Sequence, residues 1–217
     1  MKKYPRIYHY KKAPIGEYCY AFDKLDGSNV RIEWQKKLSK KQNNGFCKFG
    51  TRNEMIKNEN SPFYSVIELF MEKYSDILNE IFKKDKTFRN IDKIMIYCEY
   101  FGENSFAGWH REKDEKDLIL FDVELSRRGF IPPGDFIKIF NDIKTPDLIY
   151  QGEFNKNLIN KVINGEFKLK EGVVCKGLKD NKIWTCKIKT KEWLDKLLDK
   201  SGHIALLEEF DGDKSYI

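Results

Sequence analysis

Short runs of β-branched and aromatic residues, each closed by a cluster of Gly, Asp, Asn or Ser, recur along this chain and limit what it can fold into. Residues 17–35, EYCYAFDKLDGSNVRIEWQ, hold two such runs around a Leu-Asp-Gly-Ser-Asn cluster, which predicts strand, tight turn, strand and puts Lys24 at a strand end. Strand character resumes in GFCKFGT after the lysine-rich stretch 36–44, which reads as a solvated loop. The runs 94–101 (IMIYCEYF) and 118–125 (LILFDVEL) are apolar enough to be buried strands, yet each carries an acidic residue near its end. A carboxylate there is costly unless something pairs with it. EGVVCKG and KIWTCKIKT, joined by Leu-Lys-Asp-Asn, predict a last pair of strands. Helical spacing appears after Ser61-Pro62 in Phe63, Val66, Ile67, Phe70, Tyr74, Ile77, Leu78 and Ile81, a core stripe behind a capping serine. Further helices are expected after Pro132-Pro133, over 155–164 and in KEWLDKLLDK. The sum is an antiparallel-rich α+β fold with helices outside its sheets, read as a single domain over 1–217.

Charge and cysteine usage narrow the function classes. Lys and Arg total 40 against 34 for Asp and Glu, a net charge of +6 that suits a phosphate-rich partner. Only 7 of those cations are Arg and 33 are Lys, so Arg31 and Arg52 stand out as positions where a planar fork has a use. The 5 cysteines are scattered, odd in number and never in a C-x-x-C pair, which argues against a disulfide framework or a zinc site and for a reducing, cytoplasmic compartment. No run approaches the ~20 apolar residues of a spanning helix, so no membrane is expected. Richness in Lys, Asn and Ile hints at an AT-rich genome such as that of a virus or phage.

Chemistry concentrates in Lys24-Leu25-Asp26-Gly27-Ser28-Asn29. A lysine is a nucleophile only when unprotonated, which desolvation or neighbouring cations favour, and a strand end in a cleft supplies both. Taken alone, K-x-D-G is equally a surface hairpin. Lys187 and Lys189, two apart on a strand, point to one face and fit either a bound phosphate or solvent. By themselves Glu171 is a turn glutamate, Glu99 a structural ion-pair member and Phe121 a core residue.

In combination these segments resemble the covalent nucleotidyltransferase superfamily of RNA ligases, DNA ligases and mRNA capping enzymes. KLDGSN resembles motif I, Gly50-Thr51-Arg52-Asn53 the arginine motif that follows it, and Cys98-Glu99-Tyr100-Phe101-Gly102 motif III. Leu120-Phe121-Asp122-Val123 resembles motif IIIa, Glu171-Gly172-Val173-Val174 motif IV, and Lys187-Ile188-Lys189 motif V, all in the family's order. The resemblance implies a ligase adenylation (ATP-grasp-like) nucleotidyltransferase domain in which Lys24 forms a phosphoramidate with AMP. It further implies that Lys187 and Lys189 meet the phosphates and that Glu171 helps bind Mg²⁺ or Mn²⁺, as a hard oxygen ligand would. Glu99 is then a ribose ligand, Phe121 stacks on the base with Val174 on its opposite face, and Asp23, Asn29 and Arg52 complete the nucleotide and phosphate contacts.

Asn29, where capping enzymes and DNA ligases place an arginine, resembles the RNA ligase 2-like branch. That branch implies ATP as AMP donor and RNA as partner, a nicked duplex or RNA/DNA hybrid among its forms. DNA ligase and capping enzyme remain the enzymatic alternatives, and a non-catalytic nucleotide- or RNA-binding module the third. The tail after motif V, Ser201–Ile217, is too short for a C-terminal oligonucleotide-binding domain, so none is expected.

Overall fold

The computed structural model describes residues 1–41, 43–102 and 116–199. The strands, in chain order, are β1 (Tyr8–His9), β2 (Tyr18–Asp23), β3 (Ser28–Gln35), β4 (Phe46–Thr51), β5 (Met55–Ile56), β6 (Lys93–Phe101), β7 (Asp117–Leu125), β8 (Gly129–Phe130), β9 (Leu148–Glu153), β10 (Gly172–Lys179) and β11 (Lys182–Lys189). The helices are α1 (Ser65–Lys84), α2 (Pro133–Ile139), α3 (Lys156–Ile163) and α4 (191–199). The α+β class expected from the run lengths is what forms. Two compact units share the chain: Met1–Tyr4 with Asp26–Thr145, and Pro5–Leu25 with Pro146–Ile217.

The first unit is built on a six-stranded sheet of order β5-β4-β3-β6-β7-β8, antiparallel throughout. Strand alternation gives this sheet two faces. Val30, Ile32, Trp34, Ile94, Ile96, Cys98, Tyr100, Leu118 and Leu120 lie on one, joined in a buried core by Val66, Phe70, Tyr74, Leu78 and Phe82 of α1. Val66, Phe70, Tyr74 and Leu78 are the buried part of the predicted stripe and Phe82 continues their i, i+4 spacing; each such side chain withdrawn from water contributes about 1.5–3 kcal/mol. The helix begins at Ser65 rather than at Ser61, because residues 61–64 close a separate turn in which Tyr64 N donates to Ser61 O (2.9 Å).

The second unit carries a five-stranded sheet of order β1-β11-β10-β2-β9, antiparallel except for β1 on β11. Its core packs Cys19, Ala21, Val173, Cys175, Cys186 and Ile188 against Leu158, Ile159 and Val162 of α3, which Asn155 caps by accepting from Leu158 N. The β10–β11 hairpin turns at Asp180 (φ 49°) and Asn181 (φ 60°), the paired positive φ of a type I′ reversal.

One local expectation gives way. The runs flanking Lys24 are strands, yet they do not form a hairpin: β2 pairs with β9 and β10, β3 with β4 and β6. The Leu-Asp-Gly-Ser cluster carries the chain from one sheet to the other instead of reversing it. The tail 201–217 lies outside the described residues.

Candidate active site

Lys24 is fixed by its backbone before its side chain matters. Its N–H donates to Gly172 O (2.9 Å), which ties the end of β2 to the start of β10. Gly172 has φ 149°, and a Cβ there would stand 2.0 Å from Ile188 O, so only glycine lets β10 and β11 come this close. The residue before it, Glu171, is 3% exposed, and its Oε1 sits 2.8 Å from Lys24 Nζ. The same oxygen takes the ammonium of Lys189, which stands opposite Gly172 in the ladder, is itself buried and lies 3.4 Å over the Trp193 ring. One buried carboxylate therefore holds two lysine ammonium groups, and its Oε2 is enclosed with no hydrogen-bond partner.

Lys187 is on the same face of β11 as Lys189 by alternation, the core-facing positions being Cys186 and Ile188. Across the ladder it faces Val174, and Val174 faces Phe22, a row on the sheet's non-core face. Lys176 extends that row, buried, its ammonium 5.6 Å from the Phe22 ring centre. Asp23 closes the group. Burial first, and then the charge of Asp147, push its carboxyl up against the opposing pull of Lys170 and Lys24, and its Oδ1 is buried without a partner.

The remaining candidates occupy the six-stranded sheet, on the face opposite its core. Asn29 and Glu99 are direct partners between β3 and β6. Glu99 Oε1 accepts from Gly27 N (3.1 Å), and a Cβ at Gly27 would stand 2.5 Å from Tyr100 O, which explains the glycine of KLDGSN by close approach. Asn29 Oδ1 is a second buried acceptor without a partner. Phe121 is set apart from its neighbours by a β-bulge: Tyr97 pairs with Asp122 and Cys98 with Leu120, leaving Phe121 as the extra residue of β7. It is half-buried, outside the core cluster, against Tyr4 and Tyr97. Arg52 is exposed just past β4. Arg31, the other arginine of interest, is buried and donates from Nη1 to Met1 O (3.0 Å).

The predicted residues thus fall into two groups. Asp23, Lys24, Glu171, Val174, Lys187 and Lys189 are on the five-stranded sheet or at its strand ends, and Asn29, Glu99 and Phe121 are on the six-stranded one, with Arg52 in the turn after β4. Lys176 joins the first group without having been predicted; its signal in the sequence is the spacing of two from Val174. Tyr4 had no local signal, although the run 118–125 had marked its partner Asp122 as a carboxylate in need of one.

A family model described as RNA ligase matches residues 17–191. No curated protein matches the sequence. Among solved structures, a mutant Naegleria gruberi RNA ligase with AMP and Mn is similar at TM-score 0.64 and 16% identity, covering 92% of this chain and 59% of that one. The same enzyme with PPi gives TM-score 0.62 at 18% identity with the same coverage, and another mutant with ATP and Mn gives 0.63 at 17%. At these identities the likeness concerns the fold, and this chain spans 59% of the length of those proteins.

Proposed function

The chain belongs to the RNA ligase family, and from that premise we propose that it is an ATP-dependent RNA ligase with Lys24 as its covalent AMP carrier. The observation that carries the reading is the Lys24 amine held at the end of β2, 2.8 Å from a buried glutamate, with two further lysines on β11, one strand beyond β10. In the first step Nζ, once deprotonated, attacks the α-phosphorus of ATP. A P–N bond forms, the bond from the α-phosphorus to the bridging oxygen breaks, and pyrophosphate leaves. Negative charge gathers on the phosphoryl oxygens and the leaving group, so fixed cations are the main catalytic resource, and Lys187 and Lys189 supply them. In the second step the AMP passes from Lys24 to an RNA 5′-phosphate. In the third, a 3′-hydroxyl attacks that activated end and expels AMP. Within the first unit Glu99 takes the ribose, Phe121 the base, and Asn29 and Arg52 phosphate contact and strand joining; within the second Val174 serves the base and Asp23 lies beside the nucleophile.

A divalent cation fits Glu171. Its Oε2 is a buried hard donor without a hydrogen-bond partner, which suits Mg²⁺ or Mn²⁺. Among the described residues no group of three or more His, Cys, Asp or Glu is placed to hold a metal, so the nucleotide phosphates and water would complete the shell. When bound, the cation neutralises charge on those phosphates.

Among the described residues no helix is long and apolar enough to cross a membrane, and the described cysteines are free thiols, in keeping with a reducing, cytoplasmic setting. RNA would be gripped by phosphate contacts, with Arg52 and the lysines 36, 37, 40 and 41 as the available cations. The test is sealing of a pre-adenylylated nick in RNA duplex, RNA/DNA hybrid and DNA duplex across a salt series. Sealing of the RNA substrates is expected, falling steeply with salt and lost in Arg52→Ala before self-adenylylation is lost. Sealing confined to DNA would favour a DNA ligase. Transfer of GMP from GTP to the protein, with no sealing, would favour a capping-type enzyme.

A further inference from the structure

Residues 1–4 belong to the unit of Asp26–Thr145, although the residues that follow them do not. They lie across the non-core face of the six-stranded sheet and touch it at each step. Met1 O accepts from Arg31 on β3, and Lys2 pairs with Glu124 on β7. The Met1 side chain fills the space at Gly50, where a Cβ would meet its methyl at 2.7 Å, and Lys3 Nζ is 3.5 Å from Asn53 Oδ1, so the turn carrying Arg52 is contacted on both sides. The Tyr4 phenol donates to Asp122 Oδ2 (2.8 Å). Its ring makes edge-to-face contacts with Phe121 and Tyr97, both at 5.0 Å, and with Phe130 at 5.5 Å. Burial, and then the Asp122 charge, push the phenol up, so it stays a donor.

As the extra residue of a bulge, Phe121 stands outside the regular register of the ladder, and the rings of Tyr4 and Tyr97 pack against it. We propose that residues 1–4 form a strap that aligns the nucleotide-binding face, with Tyr4 as a positioning residue that fixes the Phe121 ring for the nucleobase. This rests on the reading of Phe121 as the base platform. A ring held in place before ATP arrives loses less freedom on binding, so the strap acts on nucleotide affinity and base choice rather than on the rate of phosphoryl transfer.

The experiment compares KM for ATP, kcat of self-adenylylation, the ATP-to-GTP preference and Tm among the wild type, Tyr4→Ala, Tyr4→Phe, Phe121→Ala and the double Tyr4→Ala/Phe121→Ala. Tyr4 makes one edge-to-face contact with Phe121, so Tyr4→Ala is expected to raise KM by about two- to tenfold and blunt base preference, with kcat within about twofold. Tyr4→Phe keeps the ring contacts and is expected to restore most of the KM. The double variant is expected to be no worse than Phe121→Ala, since both changes remove one platform. A Tyr4→Ala protein with lowered Tm but wild-type KM and base preference would overturn the strap alone, provided Phe121→Ala raises KM. Full additivity of the two changes would also overturn it. An unchanged KM in Phe121→Ala would remove the base platform and the strap together. If Tyr4→Ala does not fold, Tyr4→Leu against Tyr4→Phe makes the same comparison.

Discussion

Replacing Glu171 with glutamine keeps its volume and removes its charge, and the structure says where the cost falls. Lys24 is 22% exposed at its side chain and can turn toward water, so its loss of a partner is cheap. Lys189 is 5% exposed and cannot. Removing one member of a buried pair costs about 3–5 kcal/mol because it strands the other charge. The glutamine oxygen still accepts one bond, which puts Glu171→Gln near the lower end, about 3 kcal/mol. At roughly 2–4 °C per kcal/mol for a chain of this size, Tm should fall by about 6–12 °C. Adding Lys189→Met removes the stranded ammonium and should recover at least half of that loss, a coupling that a double-mutant cycle of thermal melts measures directly. If Glu171→Gln melts within about 1 °C of the wild type, or if Lys189→Met adds its own loss in full, then Glu171 and Lys189 are not an energetic pair and this account of the site is wrong.

Two further changes test its geometry and its titration. Gly172→Ala places a methyl 2.0 Å from Ile188 O at φ 149°, so the β10–β11 ladder must open where Lys24 is anchored. Denaturant melts should show a loss of about 3 kcal/mol or more, with self-adenylylation falling in the protein that remains folded, and a wild-type midpoint would refute the close approach. Asp23 has a folded pKa raised above its unfolded value, so its favourable contribution is complete below about pH 3.9 and is lost as pH rises through the folded value. Asp23→Asn should therefore melt higher than the wild type at pH 7, by a gap that closes as pH falls below about 4, and a gap constant with pH would contradict the burial argument.

Much of the fold was legible where contacts are local. The α1 stripe reads directly from its i, i+4 spacing, and the β10–β11 hairpin from two alternating runs around Asp180-Asn181. Where partners are distant the sequence is silent. The runs beside Lys24 look like a hairpin because nothing local reveals that their ladder partners come from 148–153 and 172–179 on one side and from 46–51 and 93–101 on the other. Strand β9, LIYQGE, went unread because it is an edge strand without buried residues, so it lacks the alternation that burial imposes. The bulge left one trace, the three-residue step between the core positions Leu120 and Val123 where a regular strand would step by two. Of the site, the motif order marked which residues to examine. It did not indicate that the oxygen of Glu171 that holds Lys189 also serves Lys24, or that Tyr4 backs Phe121, because the Lys24–Glu171 and Tyr4–Phe121 contacts each span more than a hundred residues.

Lys24 as the carrier of AMP is tested by covalent labelling. The protein is incubated with α-labelled ATP and Mg²⁺ or Mn²⁺, then denatured, digested and mapped. Label is expected on the peptide containing Lys24, with release of pyrophosphate and no label in a folded Lys24→Ala variant. Label at the wild-type level in Lys24→Ala, or label mapped to Lys187 or Lys189, would contradict it.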